Sequence, residues 1–269
     1  MFPKRLIGCV AAAAVAAGCS SSGASPAGSV RAAVRATLAA GSVQEQVQAV
    51  TPTASGQSTT TATGAYSFTR HQGTFDADTG IIGKIHALID GSTLYFQLPP
   101  AVADQLPVKK PWVSVDLAHP PAFPGIGNLG NLAGGADPSR SLQPLENGLT
   151  NVTKVGTEKV GADQTTHYRA TLDLNKAKAG ATPDQQKALQ AQIDLVGTPT
   201  STIDMFVGPG GRLRREISTV DLSASKVPGA AAAKGSATVT ADLTGYGTPV
   251  DITVPPPSDV IGAAQLLGQ

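Results

Sequence analysis

Only two cysteines, Cys9 and Cys19, occur in this 269-residue chain, and both stand near its amino terminus. No intramolecular disulfide can form beyond Cys19, so the bulk of the chain has to be held by its core. Charge is scarce as well. Asp, Glu, Lys and Arg make up 14% of residues, the net charge is +1, and there is no basic cluster, which argues against nucleic acid as a partner. Past the first segment no apolar stretch approaches the roughly 18 residues that a membrane-spanning helix needs. Aromatic residues amount to 4% while glycine reaches 30, so the core either packs many Ala and Val or leaves space unfilled. Catalytic signatures are missing too: there is no G-x-S-x-G elbow and no S-x-x-K nucleophile motif. His71, His86, His119 and His167 are scattered, without the paired spacing of a local metal motif. Asp76 with Asp78, and Asp163 with Glu158, occupy turn positions where Asp is expected for backbone reasons. The expectation is a protein that is not an enzyme and carries no metal and no cofactor.

What is present starts at the amino terminus. Lys4 and Arg5 precede an apolar run from Leu6 to Ala17, which ends in the small residues Ala16-Ala17-Gly18. A charged start, an apolar core too short to span a bilayer and a small-residue cleavage site make a secretory signal. Cys19 follows at once, then Ser20-Ser21-Ser22-Gly23. Small residues immediately before a cysteine resemble a lipobox, although Ala16 stands where that motif usually has Leu. Leu6-Ile7-Gly8-Cys9 matches the motif better in letters, but no apolar core separates it from Arg5. Cys19 is therefore the expected acylation site. Two or three acyl chains, at ~0.8 kcal/mol per buried CH₂, would anchor the protein stably to a membrane.

Along the rest of the chain the reading is a signal peptide over 1–18, a flexible tether over 19–28, one domain over 29–258 and a tail over 259–269. Ser29 is expected to cap a short helix with Val30, Val34 and Leu38 on one stripe. The period then changes to two: Val43, Glu45, Val47 and Ala49 alternate with Gln44, Gln46 and Gln48, which predicts a strand with one polar face. Lys84 to Ile89, the turn at Asp90-Gly91 and Thr93 to Leu98 give the clearest hairpin. A strand is predicted over Trp112–Asp116, a helix from Asp137-Pro138, and paired strands over 152–160 and 165–174. Thr182-Pro183-Asp184-Gln185 has capping-box spacing for another helix, stopping by Gly197. Strands are expected again over 202–207, 213–222, 237–246 and 250–254, with Pro255-Pro256-Pro257 ending the sheet. Alternation places Arg212 and Arg214 on a solvated face. Residues 118–136 are rich in Pro, Gly and Asn yet carry Phe123, Ile126, Leu129 and Leu132, and a loop so long is read here as a candidate lid.

Three segments carry a family resemblance: Asp90-Gly91-Ser92-Thr93-Leu94-Tyr95 with Pro111-Trp112-Val113-Ser114-Val115-Asp116; Val155-Gly156-Thr157-Glu158-Lys159-Val160-Gly161 with Thr166-His167-Tyr168; and Tyr246-Gly247-Thr248-Pro249-Val250-Asp251-Ile252. In order and spacing they resemble the actinobacterial LolA-like lipoproteins, the group of LppX, LprA, LprF and LprG, over roughly residues 30 to 258. The resemblance implies an α+β fold: a strongly curved antiparallel β-sheet, a half-open barrel of roughly ten or eleven strands, with a few helices covering its concave face. It further implies an apolar cavity for acyl chains and brings no catalytic residue. Leu94, Phe96, Trp112, Phe123, Ile126, Leu129, Leu132, Ile203, Met205 and Val207 are the cavity candidates. The expected function is an envelope lipoprotein, anchored by acylated Cys19 on the extracytoplasmic face of the cell membrane, that binds a lipid or lipoglycan and carries or presents it. The alternative is a non-carrier interaction or regulatory lipoprotein that uses the same fold for a protein partner.

Overall fold

A computed structural model describes residues 24–54, 56–78, 83–97, 100, 110–117, 137–226 and 235–266. The signal segment, Cys19 and the 118–136 stretch lie outside the described residues. Twelve strands form one sheet: β1 (Ser42–Thr53), β2 (Gly56–Ser67), β3 (Gln72–Asp78), β4 (Lys84–Asp90), β5 (Thr93–Gln97), β6 (Trp112–Asp116), β7 (Leu149–Val160), β8 (Asp163–Asp173), β9 (Thr200–Val207), β10 (Leu213–Asp221), β11 (Ser236–Thr244) and β12 (Val260–Gly262). Their order across the sheet is β12-β6-β5-β4-β3-β2-β1-β11-β10-β9-β8-β7. The sheet is open, with β12 and β7 as its two edges. Every pairing is antiparallel except that of β12 with β6. The α+β fold and its large open antiparallel sheet are therefore as expected.

The extra strand is the main correction. Residues 250–256 form no strand; a 3₁₀ turn at Pro257–Asp259 then delivers Val260, Ile261 and Gly262 opposite Trp112, Val113 and Ser114. The three prolines lack the N–H groups that a ladder needs, so pairing resumes only beyond them. A four-residue helix, α5 (Ala263–Leu266), follows and packs on β6 and β12.

The helices among the described residues are few. In α1 (Pro26–Leu38) the Ser25 hydroxyl accepts a hydrogen bond from the Gly28 N–H at 3.1 Å, and Pro26 fills the first turn. The helix thus starts one turn before the expected Ser29 cap, inside the stretch read as tether, because Ser-Pro supplies both the cap and a pre-set φ. Its buried stripe is Val30, Ala33, Val34 and Thr37. The second helix, α2 (Pro138–Gly148), is capped by Asp137 and buries Leu142 and Leu145. After the short α3 (Leu174–Ala177) comes α4 (Pro183–Val196), with the expected capping box at Thr182 and Gln185 and a left-handed Gly197 at its end. No residue of α4 is fully buried; Leu189 and Ile193 only rest against the core.

Among the described residues α5 sits at the β6–β12 edge, and the other helices that pack on the sheet lie on the opposite half. There α1 packs on β7, β9 and β10, and α2 on β7 and β8. Strand alternation carries the same inner face across the other strands: Val43 of β1 stands opposite Tyr66 of β2, and Ile89 of β4 opposite Leu94 of β5, all buried. Gly64 of β2 belongs to the same face. A Cβ there would stand 2.2 Å from the ring of Phe75 on β3, so the missing side chain is what lets that ring lie across the strand.

Candidate functional site

Leu94, Phe96, Ile203 and Met205 all point to the helix-bearing inner face and are 4% exposed or less. Val207 shares that face and is partly buried against the same core. The five fall in two groups, because β4, β3, β2, β1, β11 and β10 lie between β5 and β9. Trp112 requires a correction. In β6 the inward positions are Val113 and Val115, at 0% and 1% exposure, so strict alternation turns Trp112 to the outer face. There its ring meets His86 edge-on, with centroids 5.8 Å apart. Phe123, Ile126, Leu129 and Leu132 lie outside the described residues.

The inner face also holds two carboxyl groups, each 9% exposed: Glu45 on β1 and Glu216 on β10. Only β11 runs between them, with Leu243 opposite Glu45 and Ala241 opposite Glu216. Among the described residues the buried Oε2 of Glu45 has no hydrogen-bond partner. Burial pushes Glu45 up to about 8, and the nearby charges of Glu216 and then Asp137 push in the same direction. Burial alone pushes Glu216 up to about 7. Asp137 is the cap of α2; its Oδ1 accepts from the Ser139 N–H at 3.0 Å and the Ser139 hydroxyl at 2.5 Å. Tyr66 is raised by burial and by the Asp137 charge beside it.

The outer face handles its charges differently. His167 on β8 is held from both ring nitrogens, Nδ1 at 2.9 Å from Glu158 and Nε2 at 2.6 Å from Asp204, and its ring stacks on Phe206 at 4.4 Å. Arg169 adds a two-pronged contact to Asp204, at 2.8 and 3.0 Å. Burial would raise Asp204, but the hydrogen bonds and charges of Arg169 and His167 together outweigh it and hold the carboxyl below its ordinary value. Arg215 grips Asp242 in the same two-pronged way, at 2.5 and 2.7 Å.

Arg212 and Arg214 do not form the free solvated patch that alternation suggests. Their guanidinium groups lie 4.6 and 5.6 Å from the ring centre of Tyr246. Arg214 Nε is also 2.7 Å from Asp163, close enough for an ion pair although off the line of a hydrogen bond. A register shift between Leu213 and Arg215 is what redirects Arg214. An open groove of about 360 Å³ crosses β1, β2 and β3 on the outer face, lined by Gln44, Gln46, Thr63, Thr74 and Asp76. Its lining mixes polar and apolar surface about equally, and it does not coincide with the apolar candidates.

Among the described residues no cluster of three or more His, Cys, Asp or Glu is arranged to hold a metal ion. No described helix is long and apolar enough to cross a membrane. Sequence reasoning missed both the Glu45–Glu216 pair and the His167 network. The only signal for the first was a glutamate in the apolar phase of β1, between Val43 and Val47.

No protein-family model matches the chain, and no curated protein matches it. Solved structures do. Lipoprotein LppX of Mycobacterium tuberculosis is similar with a TM-score of 0.45 and 14% identity, over 83% of this chain and 98% of that one. LprF of Mycobacterium bovis is similar with a TM-score of 0.43 and 16% identity, over 86% and 96%. The LolA superfamily protein NE2245 of Nitrosomonas europaea gives 0.33 and 10%, over 81% and 90%. At such scores nothing about activity passes from those proteins to this one.

Proposed function

We propose that this chain is a membrane-anchored envelope lipoprotein that binds the acyl chains of a lipid or lipoglycan against the inner face of its sheet, and carries or presents them. The observation that carries the reading is an apolar face that continues across an open sheet, from Ile261 and Val113 at one side to Met205 and Ala170 at the other. A sheet face this wide has to be covered, and the main contacts of α1 and α2 are confined to β7–β10. The energetic motive is that a C16 chain exposed to water costs on the order of 12 kcal/mol at ~0.8 per CH₂. Leu94, Phe96, Ile203, Met205 and Val207 are the proposed acyl contacts, Cys19 the proposed anchor, and the 118–136 stretch the proposed lid. The domain so defined runs through residue 266, because β12 and α5 belong to the fold.

Native mass spectrometry of the full chain, isolated from an actinobacterial host, tests the reading. An excess mass that solvent extraction removes and identifies as a diacyl lipid or lipoglycan is the expected result. A bare polypeptide mass, unchanged after incubation with envelope lipid extract, would overturn it in favour of a protein-binding role. Replacing Cys19 with Ser is expected to move the protein from the membrane to the soluble fraction.

A further inference from the structure

Glu45 and Glu216 stand where the sheet is otherwise apolar, and no backbone or turn geometry asks for a carboxylate there. They share the inner face, separated only by β11, whose Ala241 and Leu243 bring no polar side chain to the place. Among the described residues neither has an ion-pair partner, and one Glu45 oxygen has no partner at all. The groups that face them are no remedy. From the cap of α2 comes Asp137, already accepting from Ser139 and lying 3.5 Å from Arg140. From the turn after β11 comes Tyr246, whose hydroxyl donates to the Leu213 carbonyl. Arg212 and Arg214 are spent on that ring and, for Arg214, on Asp163. The buried stripe of α1 carries no charge; its Thr37 hydroxyl accepts from the Leu213 N–H, Arg31 donates to the Glu146 carbonyl and Arg35 is exposed. A buried carboxyl in such a setting is tolerated while protonated and has to reach water once ionised.

We propose that Glu45 and Glu216 form a proton-operated latch between sheet and helices: with both protonated, α1, whose Thr37 meets Leu213 at the start of Glu216's own strand, stays seated on the sheet, and deprotonation lifts it and opens the inner face. The ordinary carboxyl value of 4.5 and the closed-state values of about 8 and about 7 bound the working range, which runs from mildly acidic to just above neutral pH. In the open state both groups return to ordinary carboxyl values. The open fraction therefore rises with pH, by up to about tenfold per pH unit for each carboxyl, until the closed-state value of that carboxyl is passed. The latch stands apart from the lipid reading, since it governs access to the inner face whatever occupies it.

Hydrogen exchange on the full chain without added ligand tests the latch, with α1 amides compared against those of β3 and β4 from pH 5 to 8. Protection factors at Val30, Ala33 and Val34 are expected to fall at least tenfold between pH 5 and 7 while those of β3 and β4 hold. The double variant Glu45→Gln/Glu216→Gln keeps shape and neutrality, and its α1 protection is expected to stay high and flat. Three results would overturn the latch: α1 protection independent of pH in the native chain, a fall shared equally by β3 and β4, or a slope that survives in the double variant. A failure to bind lipid would leave all three comparisons intact.

Discussion

Asp204 on β9 and Glu216 on β10 are neighbours in the sheet with opposite fates. Asp204 stands opposite Ile217 and faces outward; Glu216 stands opposite Met205 and faces inward. Both are nearly buried, at 8% and 9% exposure. Asp204 is gripped by Arg169 and His167 and held below its ordinary value, whereas burial, with no counter-charge among the described residues, drives Glu216 up to about 7. Burial alone thus decides nothing about a carboxyl. The side of the pleat decides, because it sets whether cations from the flanking strands can reach it.

The comparison breaks most visibly at Glu45. Its folded value of about 8 lies above the ordinary 4.5. The unfolded chain therefore gives up this proton first, and stability declines as pH rises from 4.5 until the folded value is passed. Glu45→Gln is expected to raise stability at pH 8 by up to about 4 kcal/mol, at ~1.4 kcal/mol per pH unit, and to change little at pH 4.5; urea unfolding at both pH values reads it. Asp204 runs the other way. Its contribution is complete above the ordinary 3.8 and is lost as pH falls below it. Asp204→Ala leaves the buried His167 without its Nε2 partner and should cost about 2 kcal/mol at pH 7, measured by the same unfolding experiment. A smaller effect is expected of Tyr246→Phe, which deletes the hydroxyl that donates to the Leu213 carbonyl and should cost about 1 kcal/mol. Smallest of all is His86→Ala. The His86–Asp76 pair at 2.9 Å is largely exposed on the outer face, so thermal unfolding should register no more than about 0.5 kcal/mol.

Local signals in the sequence carried most of the fold. The hairpin of β4 and β5 declares itself through alternation around Asp90-Gly91, with Gly91 at the positive φ that its turn requires. The start of α4 is written in Thr182-Pro183-Asp184-Gln185. What stayed hidden depends on distant partners. β12 is three residues long and is a strand only because β6 offers a parallel edge; the 3₁₀ turn before it does not join it to β6, which lies far back in the sequence. The place of Trp112 follows once Val113 and Val115 are known to fix the phase of β6, a fact about the sheet rather than about tryptophan. Glu45 could be seen to interrupt an apolar phase, but its counterpart Glu216 is brought beside it only by the long-range β1–β11–β10 seam. His167 is the same case, since Glu158 and Asp204 reach it from strands on either side.

That seam sets a schedule for folding. β2 to β6 can zip by hairpin addition as the chain emerges, each strand meeting its neighbour across a turn or loop. β1 waits: its second neighbour is β11, so Gln44 meets Thr244 only when nearly the whole chain has been made. Contacts of such sequence separation make folding slow, and until the last strands arrive β1 offers an open ladder of N–H and C=O groups to any other chain. Gln44, Gln46 and Gln48, together with Pro52 near the end of β1, make that temporary edge polar and interrupted. They guard the nascent chain during the interval before its own carboxyl-terminal third can close the gap.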